Sequence, residues 1–163
     1  MTPVGCDKCR GQTGSFSGRS PDRFGVDLAG MSPTGQPVRV LIAEDDARVR
    51  TALCSFLSGC PDLEIVGDAG SAATALALAK ELAPAVALVD VRLPKASDGL
   101  GLMRTLTGEL KIPVVAMSIL GGFRMSALAA GAYQFLEKEC AAELLIASLR
   151  AAATSPRPRY PRP

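Results

Sequence analysis

Five side chains suited to binding a metal ion or a phosphoryl group stand where short apolar runs of the chain end. They are Glu44 and Asp45 after one run, Asp90 after a second, Ser118 after a third and Lys138 after a fourth. The chain has no histidine, which excludes a histidine phosphocarrier, a histidine base and most zinc enzymes. Any chemistry must therefore use carboxylates, hydroxyls or lysine.

The apolar runs have the length and composition of β-strands, and they alternate with Ala/Leu-rich segments of helical period. Strands are predicted over residues 40–43, 64–67, 86–89, 112–117 and 134–136, and helices over 47–58, 72–82, 100–110, 123–130 and 141–153. Strands that are apolar on both faces and separated by helices indicate a parallel sheet covered on both sides. The predicted fold is α/β: a doubly wound, flavodoxin-like sheet of five parallel strands.

The strand order expected for this class is 2-1-3-4-5, which makes the first and third strands neighbours. Glu44, Asp45 and Asp90 should then lie together at the carboxyl edge of the sheet. Three adjacent carboxylates repel one another, and a hard divalent cation with oxygen ligands relieves that repulsion. Mg²⁺ fits best, while Lys138 adds positive charge and Ser118 a hydroxyl donor. The set indicates phosphoryl transfer to a carboxylate.

The first helix carries two local signals. Asp46 directly precedes it and is most simply its N-cap. Val49, Leu53, Phe56 and Leu57 are spaced to share one face. This face is predicted to be the apolar one.

The chain resembles the receiver domains of two-component response regulators over roughly residues 38–153, most of all those of LuxR/NarL-type regulators. The resemblance is carried by VLIAEDD at 40–46, ALVDVRLP at 87–94, DGL at 98–100, VVAMS at 114–118, AGA at 130–132 and FLEK at 135–138. It implies that Asp90 accepts a phosphoryl group from a histidine kinase or phosphotransfer protein. It also implies that Glu44, Asp45, Asp90 and the backbone carbonyl of Arg92 bind Mg²⁺.

The same resemblance assigns a switch. Ser118 and Lys138 would contact the phosphoryl group, and Phe135 on the last strand would swing inward to reshape the surface of the fourth helix, fifth strand and fifth helix. A homodimer through that surface is compatible with the resemblance. The domain would be a phosphoryl acceptor and slow autophosphatase, and otherwise not an enzyme.

Three positions depart from the family pattern. Ile119 stands where a small residue is usual, which predicts restricted access to the phosphoryl group and slow hydrolysis. The loop at 95–97 is about one residue longer than usual, and Glu139 replaces a frequent proline. None of these removes a reacting group.

Composition indicates three segments. Residues 1–37, rich in Gly, Ser, Pro and Thr, are predicted to be a disordered leader, 38–153 the receiver domain and 154–163 a disordered Pro/Arg tail. Of the net charge of +2, the leader carries +1 and the arginines of the tail +3, so the part between carries −2. That part has no basic excess, and no nucleic-acid binding is expected. No apolar run is long enough to cross a membrane and no secretory signal is present, so a cytoplasmic location is expected.

Other functions stay open at this stage. A pseudo-receiver would keep the fold as a protein-interaction module without accepting phosphate. The chain could also be a truncated LuxR-type transcription regulator that lacks its DNA-binding domain, since no helix-turn-helix segment follows residue 153. A small enzyme of another flavodoxin-like kind is disfavoured because the first loop lacks a Gly-rich phosphate-binding motif.

Overall fold

The structure is a computed structural model that describes residues 35–155. The predicted leader lies outside the described residues except for 35–37, and the predicted tail except for 154–155. Within the described part, no helix is long and apolar enough to span a membrane.

Within residues 35–155, five strands alternate with five helices in the order that the sequence predicts. The strands are β1 (Val38–Ala43), β2 (Leu63–Ala69), β3 (Val86–Asp90), β4 (Val114–Ser118) and β5 (Gln134–Glu137). The helices are α1 (Ala47–Ser58), α2 (Ala72–Leu82), α3 (Ala96–Gly108), α4 (Arg124–Ala129) and α5 (Ala142–Thr154), with a 3-10 turn at Gly121–Phe123 before α4. The sheet is parallel with the order β2-β1-β3-β4-β5, which confirms the predicted doubly wound fold.

Alternation along the strands divides the core into two layers, one on each face of the sheet. Leu41 and Ala43 of β1 point into a layer closed by α2, α3 and α4. Val40 and Ile42 point into the opposite layer, which α1 and α5 close. Burial on both faces explains why β3 and β4 are apolar up to their last residue instead of alternating.

The predicted bounds of α1 and α2 match the structure, those of the other elements agree within two residues, and the start of α3 differs by four. Helix α3 begins at Ala96 and not at Leu100, because Gly99 packs closely against the backbone after β3 and lets the helix start early. Ala96 and Ser97, which were expected in the loop at 95–97, are therefore helical, and the extra residue relative to the family pattern stays a prediction. Strand β4 begins at Val114 and not at Ile112, because Lys111 has a φ of 58° and the Ile112 N–H donates to Leu106 of α3.

In α1 the cap prediction is confirmed and the face prediction is partly wrong. The Asp46 carboxylate accepts hydrogen bonds from the backbone N–H groups of Arg48 at 2.8 Å and Val49 at 3.2 Å. Leu57 is fully buried, but Phe56 is 41% exposed. The buried stripe follows a spacing of four through Leu53 and Leu57, and Phe56 lies beside it.

Candidate functional site

The carboxyl ends of four strands bring the candidate residues to one edge of the sheet. Glu44 follows β1, Asp90 and Ser118 end β3 and β4, and Lys138 directly follows β5. Together with Asp45 they line one open pocket of about 270 Å³. The structure therefore brings together the five side chains that the sequence predicts to act together.

The three carboxylates form a compact group. One carboxylate oxygen from each of Glu44, Asp45 and Asp90 lies within 4.8 Å of the other two. Oxygen atoms that share one Mg²⁺ ion at about 2.1 Å are separated by at most about 4.2 Å, so small side-chain movements would suffice. Glu44 and Asp90 are 1% and 5% exposed, whereas Asp45 is exposed. The donor set fits a hard divalent cation that keeps part of its water shell.

Lys138 lies between two of these carboxylates. Its Nζ donates to Glu44 Oε2 at 2.6 Å and to Asp90 Oδ2 at 2.7 Å. Burial raises the pKa of Glu44 in spite of this bond. Burial by itself would lower the pKa of Lys138, but the bonds to Asp90 and Glu44 outweigh it and raise the pKa. The ammonium is therefore held in its charged form beside Asp90.

The backbone around Asp90 is fixed by its neighbours. Asp90 Oδ1 accepts a hydrogen bond from the Arg92 N–H at 3.0 Å, and the Val91 N–H donates to Met117 of β4 at 2.8 Å. A Cβ atom on Gly99 would lie 2.2 Å from the Val91 carbonyl oxygen and 2.6 Å from that of Asp90. Only glycine permits α3 to pack this closely against the strand end that presents Asp90.

Ser118 and Ile119 also line the pocket. Ser118 is 1% exposed, and its Oγ accepts a hydrogen bond from the Leu120 N–H at 3.3 Å. Ile119 contributes to the pocket wall but is 69% exposed. The restricted access and slow hydrolysis expected from Ile119 remain predictions.

The two remaining predicted site residues, Arg92 and Phe135, lie in different places. Arg92 lines the pocket and binds Asp90 through its N–H, while the role of its carbonyl as a metal ligand stays a prediction. Phe135 does not line the pocket. It is 4% exposed and packs in the core layer that α4 closes.

Sequence reasoning missed Arg50. Its guanidinium donates to the backbone carbonyl of Glu44 at 2.7 Å and to the Asp68 carboxylate at 2.9 Å. The sequence contains one signal for this role, the position of Arg50 one turn after the cap residue Asp46. Many solvent-exposed arginines have such a position.

The fold and the pocket define a class: a doubly wound α/β domain with an acidic, lysine-containing site at the switch point of the sheet. The family model for the response regulator receiver domain matches residues 40–150. The chain belongs to this family, whose members are phosphorylated on aspartate in two-component signalling.

Curated relatives contain the receiver as one part of a longer protein. A protein-glutamate methylesterase/protein-glutamine glutaminase of Anaeromyxobacter dehalogenans is 37% identical over 91 residues, 56% of this chain and 25% of the relative. A protein of the same description in Cereibacter sphaeroides is 39% identical over 104 residues, 61% of this chain and 28% of the relative. The chain spans about a quarter of the length of these relatives.

Solved structures agree with the fold. The receiver domain of the response regulator NarL from Mycobacterium tuberculosis has a TM-score of 0.68 and 29% identity, with 74% of this chain and 99% of that chain covered. The receiver domain of a modulated diguanylate cyclase from Desulfovibrio desulfuricans has a TM-score of 0.64 and 26% identity, with 72% and 94% covered. The receiver of Thermotoga maritima CheB, at 24% identity and a TM-score of 0.66, supports the fold alone.

Proposed function

We propose that Asp90 is the phosphoryl acceptor of this receiver, and that the donor is the phosphohistidine of a histidine kinase or phosphotransfer protein. The observation that carries the proposal is the position of the Asp90 carboxylate. It lies in an open pocket, grouped with the Glu44 and Asp45 carboxylates and 2.7 Å from the Lys138 ammonium.

In the proposed reaction an Asp90 oxygen attacks the phosphorus of the phosphohistidine. The new O–P bond forms as the N–P bond breaks, the imidazole leaves with the bonding electrons, and Asp90 becomes an acyl phosphate. Little covalent chemistry is left for the protein, so its contribution is positioning and charge stabilisation. Slow hydrolysis of the same bond by water returns the carboxylate and inorganic phosphate.

Lys138 and Ser118 have separate roles in this proposal. The Lys138 ammonium stabilises the charge that develops on the phosphoryl oxygens, and its raised pKa keeps it protonated throughout the neutral range. The Ser118 hydroxyl, which accepts from the Leu120 N–H, is free to donate its own proton to a phosphoryl oxygen. Movement of Ser118 toward the phosphoryl group would open space near β4 and β5, where Phe135 repacks as the readout.

Glu44, Asp45 and Asp90 would hold Mg²⁺, with the Arg92 carbonyl as a further ligand. When bound, the cation supplies neutralising charge to the carboxylate group and to the transferring phosphoryl oxygens. Glu44 and Asp45 would bind the cation from the segment after β1, and Asp90 from the end of β3.

The test is intact-protein mass after incubation with acetyl phosphate and Mg²⁺, for the native chain and Asp90→Asn in parallel. We expect a phosphoryl-sized gain in the native chain and none in the variant, because an amide cannot form the acyl phosphate. Asp98→Asn, an acidic residue outside the pocket, is the matched control and should gain mass like the native chain. Absence of a gain in a folded native chain would contradict the proposal and favour a pseudo-receiver.

A further inference from the structure

Arg50 joins the loop after β1 to the end of β2. Its Nη1 lies 2.7 Å from the Glu44 carbonyl oxygen and 3.5 Å from that of Asp45. Its Nε lies 2.9 Å from Asp68 Oδ2. One guanidinium thus contacts the backbone of both acidic residues and the neighbouring strand.

The Glu44 peptide groups are held on both sides. The Glu44 N–H donates to the Ala69 carbonyl of β2 at 2.9 Å, while its carbonyl accepts from Arg50. A Cβ on Gly70 would lie 3.0 Å from Arg50 Nη1, so the chain beside β2 leaves just enough room for the guanidinium. The Arg50 side chain is only 22% exposed. These contacts hold the Arg50 side chain in one position, unlike that of a fully solvated arginine.

The carboxylates depend on this backbone to different degrees. Glu44 is also held through its side chain by Lys138. The Asp45 side chain is exposed, and no hydrogen bond to it occurs among the described residues. The carbonyl of Glu44 and the Cα of Asp45 belong to one rigid peptide plane. The bond to the Glu44 carbonyl therefore fixes the position of the Asp45 Cα. Arg50 Nη1 also lies 3.5 Å from the Asp45 carbonyl oxygen, so it contacts both peptide groups that flank this Cα and restricts how the Asp45 side chain leaves the backbone.

We propose that Arg50, oriented by Asp68, is a positioning residue that sets the direction in which Glu44 and Asp45 present their carboxylates to a divalent cation. Arg50 does not line the pocket, so it acts from behind the loop and leaves the oxygen ligands accessible. The planar guanidinium reaches the carbonyls and Asp68 at once, which the single ammonium of lysine cannot do. This inference rests on the proposed function, in which Glu44 and Asp45 are metal ligands.

The test is Mn²⁺ affinity, measured as the loss of the free-ion EPR signal on titration of the full chain. We expect Arg50→Gln to bind Mn²⁺ about tenfold more weakly, at the lower end of effects from residues behind metal ligands. Asp68→Asn should weaken binding in the same direction but less. Arg48→Gln is the matched control: Arg48 is an exposed arginine on the same helix, its side chain makes none of these contacts, and its loss should leave affinity unchanged.

A kinetic readout separates positioning from a general loss of structure. The Mg²⁺ concentration that half-saturates phosphorylation by acetyl phosphate should rise in Arg50→Gln, while the maximal rate at saturating Mg²⁺ stays near that of the native chain. Unchanged Mn²⁺ affinity in Arg50→Gln, with binding intact in the native chain and lost in Asp45→Asn, would overturn the inference and leave the proposed function standing.

No Mn²⁺ binding by the native chain would instead overturn the proposed function itself. If Arg50→Gln fails to fold, Asp68→Asn decides, because it keeps the arginine and removes only the carboxylate that orients it. Weaker binding in that variant supports positioning, and native-like binding contradicts it.

Discussion

At the scale of single residues, the site is governed by the balance of charge around Lys138. Glu44 and Asp90 are almost fully buried, and the Lys138 ammonium contacts both. Buried carboxylates without a partner are costly, because desolvation penalises the charged form. Lys138 therefore contributes to stability, in addition to the role proposed for it in phosphoryl transfer.

We predict that Lys138→Met destabilises the native state by about 2–3 kcal/mol at pH 7 in Mg²⁺-free buffer. The figure is below that for a fully buried pair because the site opens to solvent. Added Mg²⁺ should restore more stability in the variant than in the native chain, since the cation replaces the lost charge. Denaturant unfolding with and without Mg²⁺ measures both effects, with the exposed Lys80→Met as control. An equal Mg²⁺ effect in the two proteins would contradict this account.

At the scale of secondary-structure elements, the packing of α3 against β3 fixes the backbone at the strand end that carries Asp90. Gly99 and Gly101 lie on the same helix but in different surroundings. A Cβ on Gly99 would lie 2.6 Å from the Asp90 carbonyl oxygen and 2.2 Å from that of Val91, whereas a Cβ on Gly101 would meet nothing within 4 Å. Substituting each glycine by alanine therefore separates the effect of close packing on stability from the effect of helix propensity.

Gly99→Ala is predicted to destabilise the protein by about 1–3 kcal/mol through overpacking, although alanine favours helix over glycine by about 1 kcal/mol. It should also slow phosphorylation of Asp90, because α3 or the strand end must shift. Gly101→Ala, the matched control, should stabilise by about 0.5–1 kcal/mol from propensity. Equal effects of the two substitutions in urea unfolding would show that the close approach is unimportant.

A second contact between elements joins α5 to the start of β2. Arg150 Nε and Nη2 donate to the two Asp62 oxygens at 2.6 and 2.7 Å. The bond from Arg150 holds the pKa of Asp62 below its ordinary value of 3.8. Because the folded-state pKa is the lower one, this stabilisation is complete above the ordinary value and is lost as the pH falls through the folded-state pKa.

Asp62→Asn should therefore cost about 1–2 kcal/mol at pH 7, a value kept small because Arg150 is partly exposed. The difference from the native chain should shrink as the pH falls below 3.8. Thermal unfolding across this range measures it. Glu64→Gln, an exposed carboxylate two residues further on, serves as control and should give little difference at any pH. A pH-independent cost for Asp62→Asn would point to packing instead of charge.

At the scale of the whole molecule, the two core layers close within residues 38–153. Val38 at the start of β1 and Ala152 in the last turn of α5 belong to the same buried layer. α5 runs to Thr154, one residue beyond the predicted domain end. We propose that this range is a folding unit, with the boundaries that the sequence predicts.

Limited digestion with a protease of broad specificity is expected to leave one resistant fragment beginning near residue 35 and ending near 155. Cleavage requires local opening, which is rare in a cooperatively packed core and frequent in segments without one. Mass spectrometry of the fragment gives its ends. Early cuts inside the sheet, or protection of the leader, would refute the proposed boundaries.

The sequence by itself determined the class of fold, the order of its elements and the acidic, hydroxyl and lysine residues at the strand ends. These follow from local periodicity and from the rule that parallel strands end at one edge. Asp46 was predictable for the same reason, because a cap acts on its own helix. The early start of α3 was not, because it depends on the close approach of Gly99 to β3.

Only the tertiary structure decided how the site is held. The contact of Lys138 with Glu44 spans 94 positions of the chain, and that of Arg50 with Asp68 spans 18. Local periodicity in the sequence cannot predict such distant pairs. In the sequence alone, Arg50 looks like any solvated helix arginine, and its carbonyl and carboxylate partners are known only from the fold. The sequence determined which groups could react, and packing between distant segments decided their distances, burial and pKa shifts.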